Sequence, residues 1–112
     1  MTKGMPEMST YQYLKNLQEQ GHPVVAERVV CAANVFEDGI IVLGVRHGCE
    51  IMLKSAKAMG KPNLLYTEQG FYTNWQRFVS REEAMKIARE QGQLFRPEGT
   101  HNPDVLYSEC LY

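Results

Sequence analysis

With 112 residues, 12 Lys and Arg against 13 Asp and Glu, and a net charge of -1, the chain has no global positive field to attract polymeric nucleic acid or an acidic membrane surface. No apolar run approaches the ~20 residues needed to span a bilayer, and residues 1–8 lack the apolar core of a signal peptide, so the expected location is the cytoplasm. The cysteines at 31, 49 and 110 include no Cys-x-x-Cys pair, which suits free thiols in a reduced compartment better than a disulfide framework.

In chain order, residues 1–8 carry no packing pattern and are expected to be a flexible N-terminus, followed by a single domain over 9–112. Ser9 or Thr10 can cap a short amphipathic helix over 11–20, with Tyr13, Leu14 and Leu17 on one face and Gly21 as its stop. That helix can lie on its own sheet or reach to another subunit. Two β-branched apolar runs, 29–36 and 40–45, flank Glu37-Asp38-Gly39, and Asp-Gly between such runs predicts a β-hairpin. The hairpin ends in Gly44-Val45-Arg46-His47-Gly48, which puts a guanidinium and an imidazole at a strand end. A second helix is predicted over 49–59, where Ile51, Met52, Ser55, Ala56 and Met59 recur at helical steps. Its N-terminal N–H groups and Arg46 suit phosphate oxygens, although Arg46 and His47 equally fit a carboxylate pairing at the helix entrance.

Glu68 to Val79 predicts a second hairpin, in which Gly70 permits a bulge or a close approach of backbone to a partner. Phe71 beside that glycine has the chemistry to stack on a nucleobase, and an aromatic there is just as readily core or subunit contact. Ser80-Arg81-Glu82-Glu83 is a capping box that opens a third helix running to Gly92. Residues 92–104 are loop, and the apolar end over 105–112 is expected to dock. The predicted fold is therefore α+β: a small antiparallel sheet of two hairpins with an N-terminal, a central and a C-terminal helix.

Cys31, His47 and Cys49 match no standard zinc spacing, and the helix REEAMKIAREQG lacks the spaced glutamates of a Nudix metal box. No metal and no cofactor are expected. His47 and Cys49 sit two residues apart at a strand end with no third group to orient the imidazole, which favours binding without turnover. The alternative is a small nucleotide hydrolase acting on ADP-ribose-like diphosphates through His47, Cys49 and Glu50.

The strand pair closing in G-V-R-H-G, then E-Q-G-F, then R-F-V-S-R-E-E-A-x-x-I-A-x-x-x-G-Q, and finally L-Y-S-E-x-L-Y, resemble in order a phage family, the first kind of Thoeris anti-defence protein. The resemblance runs from about Arg28 to Tyr112. It implies a non-enzymatic sponge that sequesters cyclic ADP-ribose isomers, with cyclic oligonucleotides as further ligands in some members. It also implies a homo-oligomer, dimers built up to hexamers with pockets at subunit contacts. A small chain with six Tyr, four Phe and one Trp agrees with such an assembly. By position, Arg46 of the R-H block would meet phosphate, with His47 beside it as a further ligand-binding residue, and Phe71 would stack on adenine. Ser80 and Arg81 would hydrogen-bond the ligand, and Arg96 is a further candidate. Many members carry an acidic residue near position 49 and an asparagine at position 80, where this chain has Cys49 and Ser80.

Overall fold

The computed structural model describes residues 8–61, 66–94, 104–108 and 111. Its element order is α1 (Thr10–Glu19), β1 (Val29–Val35), β2 (Ile41–Gly44), α2 (Glu50–Ala58), β3 (Glu68–Thr73), β4 (Phe78–Ser80) and α3 (Arg81–Glu90). The expected α+β class and both hairpins are present. Arg96 and Cys110 lie outside the described residues, as do residues 1–7 and most of the loop expected over 92–104.

Each hairpin has a local cause. In the first, Gly39 adopts φ 88, and Phe36 and Ile40 close the loop through Phe36 N–H to Ile40 O at 2.9 Å. This is the three-residue loop that ends in a left-handed glycine. Asp38 holds the turn by accepting from Ile40 N at 3.1 Å and by pairing with Lys61. In the second, Asn74 straps the turn to the chain entering β1, accepting from Arg28 N at 2.6 Å and donating to Ala26 O at 3.1 Å.

The two hairpins are joined into one four-stranded antiparallel sheet of order β2-β1-β3-β4. Register pairs Ala32 with Gly44 on one side and with Phe71 on the other, and Phe71 with Val79. Opposed residues of an antiparallel ladder point to the same face, so Ala32, Val42, Phe71 and Val79 share one face, and α2 and α3 both pack on it. Met52 and Ala56 of α2 pack on Ala32, Phe36 and Val42. Ala84, Met85, Ile87 and Ala88 of α3 pack with Val29, Phe71, Val79 and Leu106. The molecule is a sheet with one layer of helices, and its smallest extent is 18 Å.

Both sequence-level readings of Gly70 had a physical basis, and close approach is the one that applies. A Cβ at Gly70 would overlap the Val79 carbonyl oxygen and come within 2.5 Å of the Phe78 ring. The bulge lies instead in β1, between Val29 and Cys31.

The capping box at Ser80 is half formed. Ser80 Oγ accepts from Glu83 N at 3.1 Å, but the Glu83 carboxylate is drawn to Arg77 Nη2 at 2.7 Å rather than back to the cap. Helix α1 buries none of its residues. It meets the body at the β3–β4 turn, where Tyr11 packs on Trp75 with ring centroids 5.8 Å apart and lies under the Arg77 guanidinium at 4.3 Å.

Candidate functional site

Beyond Gly44 the chain leaves the sheet through a turn in which Gly48 takes φ 75, and this turn aims His47 back across the helix-covered face. Its ring is fully engaged. Nε2 is 2.7 Å from Gly70 O and Nδ1 is 2.8 Å from Ser108 Oγ. A carbonyl only accepts, so Nε2 carries the proton, and in the neutral ring Nδ1 accepts from the Ser108 hydroxyl. The same Oγ accepts from His47 N at 3.4 Å. The ring stands edge-on to Phe71 with centroids 5.0 Å apart.

Arg81 also reaches the neighbourhood of Phe71. Its Nη1 donates to Leu106 O at 2.8 Å and its Nη2 to Gln69 Oε1 at 2.9 Å. The guanidinium carbon lies 5.9 Å from the Phe71 ring centre and 5.0 Å from that of Tyr107, so the planar cation is within cation–π range of two aromatic rings. Leu106 N donates in turn to Arg81 O at 3.0 Å. The segment 106–108 is thus tied down by backbone and side-chain bonds to two separate elements, as expected for an apolar end that docks.

The structure therefore brings His47, Phe71 and Arg81 together from three distant parts of the sequence. Arg46 is exposed beside His47. Ser80, next to Arg81, is committed as an acceptor by its cap bond, a task asparagine performs equally well. Phe71 has 0 % exposure, so a base can reach its ring only if the residues packed on it move. Gln69, Tyr107 and Ser108 complete the cluster without having been singled out individually, although each lies inside a sequence block that the resemblance marks, E-Q-G-F or L-Y-S-E-x-L-Y.

Cys49 is the N-cap of α2 and makes no side-chain cap bond. Burial pushes its thiol up, but backbone groups of Arg46, Met52, Val45 and Ile51 outweigh that and bring it below its ordinary value. Its nearest candidate base, His47, has both ring nitrogens directed to Ser108 and Gly70. Gly48 N–H at the same helix entrance goes to Met52 Sδ at 3.3 Å. Among the described residues, no group of three or more His, Cys, Asp or Glu side chains comes together as a cation cage.

A groove of about 300 Å³ lies elsewhere, between α1, the Trp75 turn and α3. Arg77 pairs there with both Glu27 and Glu83. Glu27 accepts from Arg77 Nε at 2.7 Å and Nη2 at 3.0 Å, and from the Thr73 hydroxyl at 2.7 Å. Burial pushes the Glu27 carboxyl up, but the Arg77 and Thr73 hydrogen bonds outweigh it and hold the group below its ordinary 4.5, while Glu27 and Glu83 push Arg77 further up. A carboxylate with a lowered folded-state value stabilises the fold above its ordinary range, and that stability is lost as pH falls through the folded value. Glu27→Gln is therefore expected to flatten the fall in melting temperature below about pH 4.5, read as a pH series of thermal melts against the unsubstituted protein.

Residues 28–112 match the family model described as Phage T4 y16D protein. The chain belongs to the phage T4 y16D protein family. No curated protein and no solved structure shows significant similarity to it. The matched span covers the whole sheet, α2, α3 and the His47–Phe71–Arg81 cluster, and leaves out α1. For this y16D-family chain, every described residue of the candidate site falls inside the shared part. No helix among the described residues is long and apolar enough to cross a membrane.

Proposed function

We propose that this phage protein is a sponge: it binds and sequesters cyclic nucleotide immune signals without cleaving them, and so blocks Thoeris or related signalling in the host cytoplasm. Its ligands are cyclic ADP-ribose isomers, with cyclic oligonucleotides as a second class. The observation that carries the reading is the convergence of His47, Phe71 and Arg81, with Gln69 and Tyr107, from segments far apart in sequence. A diphosphate needs fixed cations and a purine needs an apolar plate. Arg46 and Arg81 supply charge here. Phe71 and Tyr107 supply rings near the Arg81 guanidinium, and Ser80, the preceding residue, adds a hydroxyl.

The working form in this proposal is a dimer-based hexamer. It is supported by the apolar surface that one chain leaves open, including Tyr13 at 55 %, Val45 at 54 % and Ile51 at 61 % exposure. Turnover is not part of the proposal, because the ring nitrogens of His47 are engaged away from Cys49 and no oriented nucleophile results.

The test is to incubate purified protein with extract containing activated TIR product, denature it by heat, and identify what it releases by mass spectrometry. Intact cyclic ADP-ribose isomer is the expected release, and a hydrolysed product overturns the reading in favour of a nucleotide hydrolase. A side-chain test accompanies it. Arg46→Ala removes a charge-assisted hydrogen bond to phosphate and is expected to weaken binding by about 1.5–3 kcal/mol, one to two decades. The melting temperature of the ligand-free protein should change little, since Arg46 is exposed.

A further inference from the structure

Asn34 has 0 % exposure, and its Oδ1 is buried with no hydrogen-bond partner among the described residues. Its Nδ2 donates to Met52 Sδ at 3.3 Å, a weak acceptor that also takes Gly48 N at 3.3 Å. Turning the amide over would set its oxygen against that sulfur and leave the N–H groups unpaired, so either orientation strands a polar atom. Asn34 stands in β1 between Ala32 and Phe36, opposite Val42 on one side and Gln69 on the other. A leucine there would complete the apolar cluster under α2 and strand nothing. The walls formed by Ala32, Phe36, Val42 and Met52 offer no set of polar partners that would hold a water molecule. The amide is therefore a buried acceptor that the fold does not use.

Its position ties it to the candidate site. The ladder sets Asn34 directly across from Gln69, which accepts from Arg81 Nη2 at 2.9 Å. Phe71 is its diagonal neighbour on the same face, and such neighbours are about 7–8 Å apart. His47 bonds the carbonyl of Gly70, the residue between Gln69 and Phe71. We infer that Asn34 Oδ1 is the acceptor for the amino group of a purine whose ring lies against Phe71, and that it selects adenine over a base with a carbonyl in that place. The inference rests on the proposed function and adds base specificity to it. A purine is an apolar plate with a few polar atoms on its edge, and an apolar wall with one unpaired acceptor complements an amino edge. An amino group supplies the missing hydrogen, whereas a carbonyl would set two acceptors against each other and leave both unpaired. Asn34 and Phe71 are both covered in the ligand-free chain, so one opening, with His47 released from Gly70 O, serves both.

Calorimetric titration of the purified full chain with two probes tests this. One is a cyclic ADP-ribose isomer closed between its two riboses, which leaves the adenine amino group free. The other is its deaminated counterpart, in which a carbonyl replaces that amino group. The unsubstituted protein should hold the amino form about ten-fold or more tighter. Asn34→Leu removes the acceptor and keeps the volume. It should melt at or above the temperature of the unsubstituted protein, and the ratio of its two affinities should fall to about one. Should leucine not fit, Asn34→Ala read at low temperature gives the same ratio, because a ratio taken on one variant cancels any general loss of binding. An unsubstituted protein that binds both forms equally, or prefers the carbonyl, overturns the inference and leaves the sponge intact. So does a variant that keeps the preference, which makes Asn34 a structural amide only. Binding of neither form overturns the sponge reading, and this inference with it.

Discussion

Phe71→Ala is expected to cost about 3–5 kcal/mol of stability, the range for emptying a fully buried aromatic site. Phe71 has no exposed surface and shares its cluster with Val29, Val79, Ala84 and Leu106, so the space it vacates is lined on several sides by elements that cannot all collapse inward. For a domain of this size the loss corresponds to a fall in melting temperature on the order of 15 °C or more, measurable by calorimetry or denaturant titration. The same ring packs against His47 and lies near the Arg81 guanidinium, which makes it a positioning residue whatever else it does.

Phe71→Leu separates support from stacking, because it keeps most of the apolar volume and removes the plate. Unchanged ligand affinity in that variant means that the ring only holds its neighbours. A loss of a decade or more at near-native stability means that the residues covering Phe71 move aside and the ring meets a base.

Much of the fold was legible because its signals are local. Asp38-Gly39 between apolar runs specifies a hairpin whatever surrounds it, and Gly39 takes the left-handed φ that such a loop requires. Ser80 caps α3 and Ser9 caps α1, each by a bond three residues long. The pairing of β1 with β3 was not legible in the same way. It is a contact between hairpins, selected by Ala32 meeting Phe71 and Ala33 meeting Gly70, and nothing in either hairpin alone states that match.

The candidate site divides along the same line. Arg46 and His47 were visible as a guanidinium and an imidazole at a strand end, but the destination of the His47 ring depends on Gly70 O and Ser108, 23 and 61 positions away. Phe71 was read as either plate or core because an aromatic beside a glycine looks alike in both roles. Burial decides between them in this conformation, and burial belongs to the packed whole. The diversion of the Glu83 carboxylate from its cap to Arg77 has the same origin: the box is a local pattern, and a nearby cation shared with Glu27 is a tertiary one.

Gly70→Ala should be nearly as damaging as Phe71→Ala, for the opposite reason. The added methyl would overlap the carbonyl oxygen of Val79 and press on the Phe78 ring. Phe78 can rotate away, but Val79 belongs to β4, whose pairing with β3 runs through the Gly70–Ser80, Phe71–Val79 and Tyr72–Phe78 register. Relief therefore requires the two strands to separate where they are paired. A cost of about 3 kcal/mol, at the upper end of ordinary overpacking, is expected, seen as a lowered denaturant midpoint with an unchanged slope.

The consequence reaches the candidate site, because Gly70 O is the acceptor of His47 Nε2 and a displaced β3 leaves that N–H without its partner. His47 also holds Ser108, so the segment 106–108 should loosen together with β4, and amide exchange at Leu106, whose N–H is bonded to Arg81 O, should accelerate. A Gly70→Ala protein of native stability, with exchange at Leu106 unchanged, would show that β3 and β4 have room for a Cβ and that the approach of Gly70 to Val79 does not hold His47 in place.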